Sequence, residues 1–274
     1  MSVKRKLKNI ITYPIKSLGG VELVAAHLQE RGLQYDRRYM LIDEYNRFVT
    51  IRQHPELLMF QVSISEGFRI YHQRTGASIQ IPFMLAAGAT LKAKIWDDEV
   101  EVLLASAEIN DWFSKEMGQM VRLVYLPDHA ARRVQPDWVP DEHHVSLADG
   151  YPYLVAGQAS VDDLNARVAD TITFHRFRPN LVVEGGEPYE EFYYDEIGIG
   201  GGTLKCIKPC TRCIVTTYHP QTGEKGKEPL KTLATQRIND NMVFGQNAIL
   251  SQAAEVRVGD EVVIRSRKTN PYQR

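Results

Sequence analysis

Gln61-Val62-Ser63-Ile64-Ser65-Glu66-Gly67-Phe68-Arg69-Ile70-Tyr71 reads as two short strands folded about a turn. Apolar and polar residues alternate in each half, as they do when one face of a strand is buried, and Glu66-Gly67 supplies the reversal. Outward from it the pattern recurs at residues 37–43 and 100–103, with turn signals at Glu44-Tyr45-Asn46, Thr75-Gly76 and Asp97-Asp98. Further on, strands are predicted at 153–155, 181–183, 203–205, 212–218 and 256–264, the last broken by Gly259-Asp260. Short strands punctuated this regularly specify a mainly β chain of barrels or sandwiches rather than a doubly wound sheet. Two helices interrupt them, which makes the class α+β. From 106 to 118, Ile109, Trp112, Phe113 and Met117 recur at helical spacing between a Ser106 N-cap and a Gly118 C-cap. From 160 to 169, Val161, Leu164 and Val168 share a face, and Ser160 with Asp163 has the form of a capping box.

A chain of 274 residues has room for two domains. The boundary is expected just after Gly118, giving domains over 1–118 and 119–267 and a tail over 268–274. Residues 128–144, beside Pro127 and interrupted by Pro136 and Pro140, read as a long ordered loop. Hydrophobic residues at 43% and charged residues at 24% exclude a disordered tail and a fibrous repeat. Lys and Arg number 33 against 34 Asp and Glu, a net charge of −1. No global positive field exists to hold a polyphosphate backbone, which excludes general nucleic-acid binding and leaves room for a local basic pocket. Asn9, Thr12, Tyr13 and Pro14 interrupt the apolar residues after the basic start, so no signal peptide is expected. The longest near-apolar run, 81–89, contains Pro82 and Gly88 and falls far below the roughly 20 residues that span a bilayer. No membrane span and a cytoplasmic location are the expectations.

Three cysteines fit no closed disulfide framework, and all lie between Cys206 and Cys213. The segment Lys208-Pro209-Cys210-Thr211-Arg212-Cys213-Ile214-Val215-Thr216-Thr217-Tyr218 contains a C-x-x-C pair. Such a pair serves as half a zinc site, as a redox dithiol, or as one working cysteine beside a bystander. Zinc asks for four ligands, and beyond Cys206 only His219 is near in sequence. A redox pair opens a helix, whereas the residues after Cys213 have strand composition. Positions three apart on a strand face opposite sides, so Cys210 and Cys213 are expected to point apart. One working thiol is the better reading, with Arg212 and Lys208 available to hold it as a thiolate that binds soft metals. The alternative is that the cysteines are small buried hydrophobes.

Taken in order, several segments resemble one family. Tyr13-Pro14-Ile15-Lys16-Ser17, Tyr35-Asp36-Arg37-Arg38 and Thr50-Ile51-Arg52-Gln53 are similar to the N-terminal β-barrel domain that precedes a MOSC domain. Leu147-Ala148-Asp149-Gly150-Tyr151-Pro152-Tyr153, Phe177-Arg178-Pro179-Asn180, Cys210-Thr211-Arg212-Cys213, Glu228-Pro229-Leu230 and Phe244-Gly245-Gln246-Asn247 resemble the MOSC domain itself. That module is shared with the carboxy-terminal part of molybdenum cofactor sulfurase, and the relatives so indicated are YcbX-type bacterial proteins and the mitochondrial amidoxime-reducing component. The resemblance runs from about Ile10 to Ile264 and implies two β-barrel-like domains, an N-terminal MOSC-associated barrel and a MOSC barrel.

It also implies a molybdenum–molybdopterin cofactor. Cys213 matches the molybdenum ligand and Cys210 a neighbour of the site. Lys16, Ser17 and Arg37 match positions that hold the pterin, as do Asp149, Arg178, Asn180, Thr211, Arg212 and Asn247. Asn247 stands where the mitochondrial relatives carry tyrosine, Thr211 where they carry serine, and Tyr151 where they carry a small residue. The family is further associated with pyridoxal phosphate binding. The residue types suit molybdopterin. Its phosphate asks for forked cations, which Arg37, Arg178 or Arg212 supply, with Lys16 as a point charge. Asp149 or the Asn180 amide offers acceptors to pterin N–H groups, and a soft thiolate suits the metal. Arg38 and Arg52 are set aside as surface ion-pair residues.

Other features read more simply. The glycines Gly198, Gly200, Gly201 and Gly202 lead into strand residues rather than a helix, so they form no dinucleotide fingerprint. Residues 189–195 read as an exposed strand or loop face, His143-His144 as solvated, and Trp112 and Phe113 as core. The activity implied by the resemblance is reduction of hydroxylamines, amidoximes and N-hydroxylated bases, with a detoxifying role. Bacterial members often carry a plant-type iron–sulfur domain, which needs four cysteines. No cysteine follows Cys213, so no iron–sulfur cluster is expected in this chain, and a separate electron donor, a flavoprotein or ferredoxin, is implied. Two other classes share these features: a sulfur carrier with a Cys213 persulfide, and a non-enzymatic carrier of the molybdenum cofactor.

Overall fold

A computed structural model describes residues 4–273. It is mainly β with short helices, the α+β class read from the sequence. Among the described residues the largest sheet has eight strands, in the order Val262–Arg267, Tyr194–Ile199, Gly202–Thr211, Val243–Gln252, Tyr153–Gly157, Leu181–Glu184, Lys6–Thr12 and Val21–Leu23. One neighbouring pair is parallel, Tyr153–Gly157 beside Leu181–Glu184, and the helix Gln158–Asn165 lies in the crossover that such a pair requires. Buried apolar residues from across the sheet, among them Ile10, Val155, Leu181, Ile197 and Leu204, form its core. The chain's first strand enters this sheet with Ile10 opposite Leu181, and Ala25–Gln29 pairs with Glu255–Arg257. The start of the chain is therefore hydrogen-bonded into the second half, which brings segments of both halves to one cleft.

A four-stranded sheet (Tyr39–Ile42, Arg122–Tyr125, Asp98–Leu104, Thr90–Ile95) and a three-stranded meander (Phe60–Ile64, Phe68–His72, Ser78–Ile81) are built mainly from the first half, with Arg122–Tyr125 joining from just beyond the expected boundary at Gly118. The hairpin read from residues 61–71 is present, with Val62 opposite Ile70. The helix Ala107–Met117 is capped as its sequence dictates. Ser106 Oγ accepts from the Ile109 N–H, and Gly118 takes the left-handed conformation, φ 65°, that a residue without Cβ adopts freely. Ile109, Phe113 and Met117 bury one face of this helix against the core that holds Phe60 and Phe68. Among the described residues no helix is long and apolar enough to cross a membrane.

Four local readings are corrected. The second helix begins two residues early, at Gln158, and Ser160 is not its cap. The Ser160 hydroxyl donates to Glu191 at 2.8 Å, and the same carboxylate accepts the Gly157 N–H at 3.2 Å, so a distant buried glutamate does the capping. Residues 189–195 are accordingly no exposed face, since Glu191 and Phe192 are buried. Residues 212–218 are not a strand. A 3-10 helix spans Ile214–Thr217, where Thr216 Oγ1 donates to the Cys213 carbonyl and Thr217 Oγ1 to that of Ile214. Such local bonds compete with a sheet ladder and outweigh β-branched composition here. His144 is held by Glu30, Nδ1 to Oε1 2.9 Å, rather than solvated.

Candidate functional site

Segments 16–17, 37 and 50–52 of the first half face segments 148–154, 177–180 and 210–215 of the second across a cleft of about 240 Å³. Lys16, Ser17, Arg37, Asp149 and Arg178 line it, and so do Asn180, Thr211, Arg212, Cys213 and Asn247, so all ten residues singled out in the sequence come together. Three of them, Ser17, Arg37 and Arg178, hold left-handed backbone at φ 75°, 48° and 56°. For residues with a Cβ this costs of order 1–3 kcal/mol each and persists only where surrounding bonds over-determine it. The Arg37 N–H donates to the Tyr13 carbonyl at 2.8 Å and the Arg178 N–H to that of His175 at 3.2 Å. Strain concentrated on one wall points to a site rather than to a packing accident.

Beneath that wall lies a buried network that the sequence reading did not assign. Asp36, 1% exposed, accepts from the Tyr13 N–H (2.9 Å), from Asn180 Nδ2 (3.0 Å) and from Arg37 Nη1 (2.6 Å). Asn180 Oδ1 accepts in turn from Arg37 Nη1 and from the Leu154 N–H, each at 3.2 Å. Both ends of the Asn180 amide are thus engaged, and its work in this structure is to orient Arg37. Removing one partner of a buried ion pair strands the other, at about 3–5 kcal/mol. Asp36→Ala is expected to lose about that much stability in a denaturant titration, and a loss below about 1 kcal/mol would show that the carboxylate does not hold the wall.

The cleft is basic although the chain is nearly neutral. Lys16, Arg37, Arg52, Arg178 and Arg212 line it against one acidic side chain, Asp149. Burial pulls the Lys16 ammonium from its ordinary value down to about 8, opposed by its ion pair with Asp149. Desolvation would raise the Asp149 carboxyl, but Lys16 and Arg52 hold it well below the usual carboxylate range. Burial lowers the Arg178 guanidinium to about 10, and its carbon stands 4.2 Å from the Tyr13 ring centre. Arg178 Nη2 and Arg212 Nε are buried with no hydrogen-bond acceptor among the described residues. Buried donors are ordinarily satisfied, so two orphaned guanidinium N–H groups at one cleft mark a place for an anion.

Both Cys210 and Cys213 line this cleft rather than opposite faces of one strand. The strand Gly202–Thr211 ends before Cys213, and the turn into the 3-10 helix removes the alternation that would have separated them. Arg212 is spent elsewhere: Nη1 donates to Cys210 Sγ at 2.9 Å and Nη2 to the Phe177 carbonyl at 2.7 Å. Lys208 stacks 4.6 Å from the Trp138 ring centre and donates to Gln135 Oε1 at 3.1 Å. The cation on Cys213 is instead Arg52, Nη2 to Sγ 3.6 Å, which also lies 4.4 Å from the Trp96 ring centre and 3.9 Å from Asp149 Oδ2. Arg52 is therefore no mere surface ion-pair residue. Its signal was its place in Thr50-Ile51-Arg52-Gln53. Cys206 is the small buried hydrophobe of the three, fully covered, with burial pushing its thiol up to about 12. Among the described residues no group of three or more His, Cys, Asp or Glu side chains is placed to hold a metal, which leaves the zinc reading without ligands.

The sequence matches the MOSC N-terminal beta barrel domain over residues 4–120 and the MOSC domain over residues 142–263. Together these define a two-domain MOSC protein. Mouse mitochondrial amidoxime-reducing component 1 is 30% identical over 286 residues, covering 95% of this chain and 84% of its own. The human protein of that name is 29% identical over 272 residues, covering 92% and 80%. Among solved structures, the YUAD protein of Bacillus subtilis aligns at a TM-score of 0.43 and 10% identity, covering 94% of each chain. The chain belongs to the MOSC family that includes the mitochondrial amidoxime-reducing components.

Proposed function

We propose that this chain is a molybdenum–molybdopterin-dependent reductase of N-hydroxylated compounds, among them hydroxylamines, amidoximes and N-hydroxylated bases. The observation that carries the reading is a single basic cleft in which Cys213, contacted by Arg52, faces a wall holding two unsatisfied guanidinium N–H groups. Membership of a family whose relatives are named as amidoxime-reducing components supports the chemistry.

The donor set fits the group. Arg178 Nη2 and Arg212 Nε would receive the phosphate, with Lys16 adding charge, and the rim carboxylate of Asp149 would accept from the pterin N–H groups. Cys213 would give the metal its soft thiolate. When bound, the cofactor supplies two-electron removal of oxygen from the N–OH group; the chain supplies orientation and field. Arg52 brings a guanidinium to the Cys213 sulfur, Nη2 to Sγ 3.6 Å. The Asp36–Asn180 network fixes Arg37, and Arg212 pins Cys210 away from any second role. Pyridoxal phosphate is the weaker reading, since Lys16, the one lysine lining the cleft among the described residues, is engaged by Asp149.

Protein produced in cells that make the cofactor is expected to purify with molybdenum and molybdopterin and to reduce benzamidoxime when given a chemical reductant. Metal-free protein carrying a persulfide on Cys213 would overturn the reading in favour of a sulfur carrier. Metal-loaded protein without turnover would leave a cofactor carrier.

Lys16 makes cofactor capture depend on pH. Its ammonium, lowered to about 8, is charged below that pH and neutral above it, so attraction for an anion is lost as pH rises through 8. Affinity of the apoprotein for the cofactor is expected to fall by up to about tenfold between pH 7 and pH 9, measured by fluorescence titration. Lys16→Gln should flatten the dependence. An unchanged dependence in that variant would assign it to another group.

A further inference from the structure

We propose that a second cavity, on the far side of Arg178 from the cofactor cleft, binds a small organic anion: a carboxylate or phosphate group on a flat apolar body. The cavity holds about 250 Å³ and lies between the two halves of the chain, sharing only Arg178 and Val215 with the cleft. The inference does not rest on the function assigned to that cleft.

Part of the lining carries two guanidinium groups and two imidazoles. They belong to His175, Arg176, Arg178 and His219, and no Asp or Glu is among the lining residues. Arg176 is held in place by its Nη1, which donates to the Thr217 and Thr216 carbonyls at 3.1 and 3.4 Å. His219 Nδ1 accepts the N–H groups of Gln221 and Thr222, each at 3.3 Å, which puts its proton on Nε2 as a donor. The acidic groups nearby are Glu22, paired with His175 at 3.2 Å, and Asp170, which acts on Arg176; neither lines the cavity.

The lining also has an apolar part that carries an unsatisfied donor. Leu58, Val215 and Tyr218 make up this part with Tyr13, which is 2% exposed and whose hydroxyl has no hydrogen-bond partner among the described residues. Gly20 lets the backbone close on that ring: a Cβ there would stand 2.5 Å from Tyr13 Cε1. A buried tyrosine hydroxyl ordinarily finds a partner, and a cavity lined by guanidinium groups together with flat apolar surface is the form of a site for a planar anion. Arginine forks suit carboxylate and phosphate alike.

The test uses the full chain and its own histidines. No histidine lines the cofactor cleft among the described residues, and comparing a variant of the cavity with a variant of the cleft separates binding here from an effect relayed through the shared Arg178. In two-dimensional NMR at constant pH, assigned with His175→Gln and His219→Gln, titration with benzoate or with inorganic phosphate is expected to shift both signals saturably. Benzoate alone would select the carboxylate, phosphate alone the phosphate, and either supports an oxyanion site. Arg176→Gln should weaken the response about tenfold or more, while Arg212→Gln, at a residue that lines the cleft and not the cavity, should change it far less. Signals of the unmodified chain that stay fixed through millimolar concentrations of both probes would overturn the proposal, whether or not the Arg176 variant folds. So would an equal loss in both arginine variants.

Discussion

Cys213→Ser is expected to abolish molybdenum retention, and Cys210→Ser to leave most of it, when each variant is produced in cofactor-competent cells and assayed for metal and pterin. Both cysteines line the cleft, so proximity alone does not separate them. Their partners do. Cys210 Sγ accepts from Arg212 Nη1 at 2.9 Å, a bond that directs its lone pair into the protein. Cys213 Sγ has Arg52 at 3.6 Å, a longer contact that leaves the sulfur less engaged. A serine hydroxyl at 213 keeps the size but not the soft, charged donor a metal of this kind prefers, so the loss should be near complete. Cys210→Ser removes a polarisable acceptor from Arg212 and should lower cofactor affinity modestly, by the about 0.5–1.5 kcal/mol of an ordinary hydrogen bond. Equal loss in both variants would instead mean that the two thiols act as one dithiol site.

The partners that separate the two cysteines were the part least legible in the sequence. The helix Ala107–Met117 and the hairpin around Glu66-Gly67 could be read directly, because caps, turns and periodicity are local. The ten site residues could be read because they sit in short segments that kept their order along the chain, and the structure gathers all of them at one cleft. What failed were statements about which residue touches which. Arg52 reaches Cys213 from 161 positions away, and Glu191 caps a helix 31 positions before it; neither separation leaves a trace in spacing. The stretch after Cys213 failed for a different reason. Its threonines stabilise a 3-10 turn through their own hydroxyls, so β-branched composition pointed to the wrong local structure. Asp36 was quoted as part of a motif, yet its role as the buried anchor of Tyr13, Arg37 and Asn180 depends on a fold that brings residues 144 positions apart into contact.

Purified protein supplied with NADH or NADPH alone should not reduce a hydroxylamine, while a chemical reductant or a flavoprotein or ferredoxin partner should restore turnover from background to a readily measured rate. Each reduction of an N–OH group consumes two electrons and two protons, so the electrons must reach the cleft from a donor. The glycine-rich stretch at 198–202 offers no nucleotide site. Gly200 and Gly201, at φ 54° and 86°, form the turn between the strands Tyr194–Ile199 and Gly202–Thr211, and a strand follows where a phosphate-binding helix N-terminus would be needed. Nor do the cysteines of this chain provide a relay. There are three, Cys206 is sealed in the sheet core, and the other two line the cleft itself, short of the four thiolates a ferredoxin-type cluster takes. Under the proposed function, an electron donor is expected to deliver electrons at the cleft itself. Fast reduction of a hydroxylamine by the isolated chain with NADH, contaminating reductases excluded, would require a flavin or nucleotide site elsewhere in the molecule and would overturn this assignment of the electron path.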